Sequence, residues 1–119
     1  MQTPNTYDTD KRKLLSTGSH ASIFISALVV SIGIPIAILA LSNDPVVKDN
    51  AREAINFHIN VMIYGAILGV LGFLTFGLAP WLLGPLWFLY HWGLALWAVV
   101  HCLGKPDQPF RYPFIFRPV

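Results

Sequence analysis

The sequence predicts an all-α integral membrane protein with three transmembrane helices: a kinked first helix, a long second helix and a third that ends in a nonhelical interfacial C-terminal tail. Three observations carry this. Of 119 residues, 55% are hydrophobic and 12% charged, where a soluble domain carries about 25% charged residues. The charges fall in three patches: Asp8, Asp10, Lys11, Arg12 and Lys13; Asp44, Lys48, Asp49, Arg52 and Glu53; and Lys105, Asp107, Arg111 and Arg117. Between them lie two uncharged stretches, 21–42 and 54–104. Neither shows the period-two alternation of a barrel strand, which leaves helices as the spanning structure. The domain plan is a polar N-terminal segment (1–18), a membrane domain (19–104) and a Pro/aromatic tail (105–119).

The first span is expected over 21–42. About 20 apolar residues cross the hydrocarbon core, and Pro35 removes a backbone donor and kinks the helix. The run is longer than a signal-peptide core and contains that proline, so it reads as retained. Asn43 and Asp44 suit a turn or N-cap, and Pro45 suits the first helical position. A helix from 45 to the mid-70s would be about 45 Å long at 1.5 Å per residue, its first turns at the interface and 55–77 spanning. Phe76-Gly77-Leu78-Ala79-Pro80-Trp81, with Gly84 and Pro85, breaks the second stretch. The third span follows at 82–103, with Trp81 anchoring the turn. The tail holds Pro106, Pro109, Pro113 and Pro118 among Phe110, Tyr112, Phe114, Ile115 and Phe116. It cannot be a regular helix and should lie along the headgroups, Arg111 and Arg117 reaching phosphates. Three spans place Lys11, Arg12 and Lys13 on one side and Lys48, Arg52, Lys105, Arg111 and Arg117 on the other. The positive-inside bias then favours a cytoplasmic C-terminus.

Glu53, Asn56, Asn60 and Tyr64 recur at helical spacing and form a polar stripe entering the membrane. A stripe of this kind lines a hydrophilic path or, more commonly, glues helices by hydrogen bonds. Gly65 and Gly69 form a GxxxG, which predicts close approach of another helix. His58 and His91 are intramembrane ionisable residues and so candidates for function. Small residues around His91 leave room for a neighbouring helix or a flat tetrapyrrole, against the plainer reading of a packing residue. No metal site is expected, since neither histidine has a partner at a ligand spacing and His101 and Cys102 point about 100° apart on a helix. No HExxH, GxSxG or P-loop occurs, so an enzyme is not expected. Cys102 alone allows no internal disulfide, and the formal charge of +2 without a basic run implies no nucleic acid. Unpaired amides at Asn56 and Asn60 would cost roughly 1–3 kcal/mol each. The tail segment Arg111-Tyr112-Pro113 is therefore expected to fold back against the start of the second helix, with Glu53 as counter-ion of Arg111.

Two segments, Asp44-Pro-Val-Val-Lys-Asp-Asn-Ala-Arg-Glu-Ala-Ile-Asn-Phe-His-Ile-Asn60 and Pro106-Asp-Gln-Pro-Phe-Arg-Tyr-Pro-Phe-Ile-Phe-Arg117, resemble a bacterial family of small membrane proteins related to the twenty-kilodalton Tic protein of the chloroplast inner-envelope import translocon, most closely its cyanobacterial members. His20 and Val30–Ile36 fit the same resemblance, which covers the chain from about residue 16. The chain is shorter than the chloroplast protein, with three expected helices against four. The resemblance implies a small subunit or accessory factor of a membrane complex in protein translocation or membrane-protein biogenesis. It also implies a cytoplasmic or stromal tail and a plasma or thylakoid membrane. Two alternatives stand beside it. One is a pigment-associated subunit of a photosynthetic membrane, with chlorophyll or carotenoid at His58 or His91. The other is an oligomeric transporter or channel. The expected partners are the lipid bilayer and other membrane subunits, with a homo-oligomer left open.

Overall fold

The computed structural model describes residues 7–24 and 28–119, with the backbone alone for 28–30. Asp8 opens helix α1 (Thr9–Ala21) by accepting from the Asp10 and Lys11 amides. A 3-10 turn, Ser22–Phe24, follows. Helix α2 (Leu28–Leu41) is apolar apart from Ser31, with Pro35 buried inside it. Asp44 caps helix α3 (Pro45–Leu74) through the Val46 amide, and Pro45 takes the first position, where no donor is missed. Helix α4 (Leu78–Gly104) is interrupted by a π turn at Leu89–Gly93. The tail beyond Gly104 is nonhelical. All elements among the described residues are helical.

The helices form two hairpins of unequal length. The start of α1 meets the end of α2 around a pocket of about 450 Å³ lined by Lys11, Leu15, Ile38 and Leu41 among others. Helices α3 and α4 make the long hairpin, closed by Thr75, Phe76 and Gly77. Gly77 has φ +88°, a left-handed conformation that glycine adopts without penalty, and its amide bonds back to Gly72 O at 2.8 Å. Thr75 Oγ1 accepts from the Ala79 amide and so starts α4. The molecule measures 60 × 25 × 22 Å. One end is a head in which α1, α2, the start of α3, the end of α4 and the tail pack together. The other end is a bare stalk: most of α3 beyond Val61 is exposed, and nothing in Leu78–Phe88 is buried. Apolar exposure on that scale marks a surface covered by something other than water.

Among the described residues two helices, α3 and α4, are long and apolar enough to cross a membrane. The expected first span at 21–42 is divided instead among the last residue of α1, the Ser22–Phe24 turn and α2; residues 25–27 lie outside the described residues. At 14 residues, α2 is about 21 Å long, short of the ~30 Å hydrocarbon core. A three-span count is therefore not supported, and the expected sidedness changes with it. Arg12 binds Asp44 at 2.7 Å and Asp107 at 2.8 Å, so the start of α1, the start of α3 and the start of the tail meet at one point. All eight basic and six acidic residues belong to these segments. The start of α1 lies at the same end as the tail, not across from it.

Candidate functional site

The polar centre of the head is a ladder between α3 and the tail. A proline-rich segment cannot satisfy its own backbone, and away from water every free amide needs an acceptor. Helix α3 supplies them from side chains at helical spacing. Asn50 Oδ1 accepts the Phe110 amide (3.0 Å), Glu53 Oε2 the Tyr112 amide (2.8 Å), Asn60 Oδ1 the Phe116 amide (3.2 Å) and Asn56 Oδ1 the Val119 amide (2.9 Å). Asn60 Nδ2 also donates to Phe116 O. Between these rungs the Tyr112 ring stacks on Phe57 at 4.1 Å, nearly parallel. Phe110 and Tyr112 are buried core residues.

Arg117 closes the ladder with its guanidinium on the Glu53 carboxylate and on Tyr112 O at 2.8 Å. The expected counter-ion, Arg111, is exposed and makes no such pair. Alternate residues of an extended chain point opposite ways, so Tyr112 turning inward carries Arg111 outward. Asn56 and Asn60 are met by tail backbone, at Val119 and Phe116 rather than at Arg111 and Tyr112. Tyr64 lies beyond the ladder and packs edge-on to Tyr90. A Cβ on Gly65 would sit 3.3 Å from the Trp87 ring, whereas Gly69 has nothing within 4 Å. The close approach expected at both falls instead at Gly65 and Gly72, where a Cβ would meet Pro80 at 2.8 Å.

Helix α1 completes the core with His20, fully buried between α3 and the tail. Its Nε2 lies 2.8 Å from Asn50 Oδ1 and its Nδ1 2.7 Å from the Tyr112 hydroxyl. Asn50 Oδ1 already accepts from a backbone amide, so Nε2 carries the proton and Nδ1 accepts from Tyr112. Burial lowers the His20 pKa to about 4, with the Asn50 bond acting the other way. Burial likewise pushes the Tyr112 hydroxyl well above its usual range. At the head's rim, the Asp44 hydrogen bond raises the Arg12 pKa against the effect of desolvation. His58 and His91 lie on the α3–α4 seam, buried, with Trp92 stacked on His91 at 4.1 Å. Asn50, His20 and Arg12 lie outside the polar stripe and the tail segment that the sequence singles out. The signal for Asn50 was its position three residues before Glu53, on the same face.

Neither the curated proteins nor the solved structures contain a match to this chain. The model of the magnetosome magnetite crystal formation protein family matches residues 11–119. That match overturns the resemblance to the Tic-related family, and with it translocation, membrane-protein biogenesis and a cyanobacterial setting. It gives no support to a pigment-bearing photosynthetic subunit or to a transporter or channel. Residues 44–60 and 106–117, on which the resemblance rested, are the two sides of the α3–tail ladder. With the match running from the first turn of α1 to the end of the tail, residues 11–119, the chain belongs to the magnetosome magnetite crystal formation protein family.

Proposed function

We propose that the chain serves magnetite crystal formation as a non-catalytic membrane protein, with its charged head on the cytoplasmic face and the α3–α4 hairpin crossing the magnetosome membrane. The observation that carries the orientation is the gathering of all eight Lys and Arg residues at the head, which leaves the turn at 75–77 without charge. Positive charge concentrates on the cytoplasmic side of membrane proteins, and with one charged end the bias is no longer divided. The polar groups of the ladder bond to one another rather than lining an open cleft, which favours a structural over a catalytic role.

In this orientation the lumen receives only the uncharged turn and its flanking Phe76 and Trp81. Influence on the crystal then passes through the membrane and the hairpin, not through head carboxylates on the mineral surface. Cysteines placed at Lys48 and Arg111 in a Cys102→Ala background test the sidedness. Both should react with a membrane-impermeant maleimide added outside intact magnetosomes. Protection until the vesicles are opened would put the head in the lumen and overturn the orientation. Deleting the chain from a magnetosome-forming bacterium should change crystal size or number in vesicles that still form, and unaltered crystals would refute the role itself.

A further inference from the structure

Three side chains on the α3–α4 seam lack the partners that the ladder residues have. His58 Nε2, Trp87 Nε1 and both ring nitrogens of His91 are buried with no hydrogen-bond partner among the described residues. His58 is 3% exposed and His91 9%. An unmatched buried polar group costs about 1–3 kcal/mol, and here four such atoms fall on one seam.

The protonation of His58 follows from its other nitrogen. Nδ1 lies 2.7 Å from Ala54 O, and a carbonyl only accepts, so Nδ1 holds the proton and Nε2 presents a bare lone pair. An imidazole fixed in this way, its far N–H on a backbone carbonyl, is the arrangement metal-ligating histidines use. The seam register brings His91 near. Gly65 lies opposite Trp87 and Gly72 opposite Pro80, which sets His58 opposite residue 94, about one turn from His91. Trp87 and His91 share a face of α4, with ring centroids 5.3 Å apart. His91 sits within the π turn Leu89–Gly93, a helical irregularity that re-aims side chains and recurs at functional sites.

We propose that His58 Nε2 and one ring nitrogen of His91 bind a first-row divalent transition-metal ion of the iron(II) class between α3 and α4, with solvent completing the coordination and the Trp87 N–H donating to that solvent. No third His, Cys, Asp or Glu joins them among the described residues, so the protein contributes two neutral ligands. Such a site holds an exchangeable ion. Imidazole nitrogens select iron, nickel, copper or zinc over magnesium and calcium.

Cobalt(II), added anaerobically to the purified full chain in detergent, is the probe. Visible absorption should saturate at one ion per chain, and X-ray absorption should show imidazole nitrogens near ~2.0–2.1 Å, the distance common to such ions. His58→Ala and His91→Ala should each weaken binding at least tenfold, a floor that corresponds to about 1.4 kcal/mol, while His101→Ala leaves it unchanged. Should either variant unfold, imidazole 15N resonances of the wild-type chain read the same point, since His58 Nε2 must shift on metal addition. Absence of saturable cobalt binding, binding retained in the double variant, or unmoved His58 and His91 resonances would each overturn the site.

Discussion

Asn50 Oδ1 takes three donors, the Phe110 amide, His20 Nε2 and the Cys102 thiol. Through His20 it ties the fold to pH. The folded state lowers the His20 pKa from 6.5 to about 4 through burial, so it favours the neutral ring. The stabilisation is complete above pH 6.5 and is lost as pH falls through 4, up to about 3 kcal/mol at 1.36 kcal/mol per unit. Thermal unfolding in detergent should therefore show a falling midpoint from pH 7.5 to 4.5. A His20→Gln variant should start lower and fall less over the same range. The subtraction matters because His58 and His101 also act on His20 electrostatically. The two tail arginines should differ as sharply. Arg117→Ala strands the buried Glu53 carboxylate and should cost about 3 kcal/mol, whereas Arg111→Ala should stay within about 0.5 kcal/mol, both by chemical unfolding. Which arginine turns inward was not legible in the sequence. A nonhelical tail with four prolines has no period from which to read a face.

Among the elements, α3 was the most legible. Its cap, its proline start, its length and its polar stripe all follow from local rules that agree with one another. The α1–α2 pair was the least legible. A polar stretch with Ser16, Ser19 and His20 reads as an unanchored leader until the acceptors on α3 and the tail hydroxyl that bury it are known. The seam glycines were half legible. GxxxG spacing names a face, but the crossing of two helices decides which glycines on it are touched, and here the crossing falls on Gly65 and Gly72. Gly72→Leu should therefore splay the hairpin and lower the unfolding midpoint, because its Cβ would meet the Pro80 ring at 2.8 Å. Gly69→Leu, with open space around it, should leave the midpoint near wild type or slightly higher, given leucine's better helix propensity. Equal effects at the two positions would show a second surface packed on Gly69.

For the molecule as a whole, one ion cluster holds the plan together. Arg12 joins α1, the α2–α3 junction and the tail, with Arg12 and Asp44 both nearly buried and Asp107 largely exposed. Removing one member of a buried pair costs about 3–5 kcal/mol. Arg12→Ala should thus loosen the short hairpin from the head, seen as faster proteolysis within residues 9–44, while Asp107→Ala should do little. The membrane character, the helical class and the tail's return to α3 were legible from composition and proline content. The number of crossings was not, because hydropathy counts apolar length and cannot see that Arg12 returns to Asp44.

The ladder joins parts of the chain made at very different times. Asn50 and Phe110 are 60 residues apart, with both long helices made in the interval. At roughly 5–20 residues per second, a ribosome needs on the order of 3–12 s to supply the backbone that Asn50, Glu53, Asn56 and Asn60 require. During that interval α3 must enter the bilayer with an open row of amides and a carboxylate, the state in which a membrane helix is most exposed to quality-control proteases. Closure of the head is thus a late event in biogenesis, completed only when residues 110–119 arrive, and a nascent chain that stalls before them should be degraded rather than accumulate.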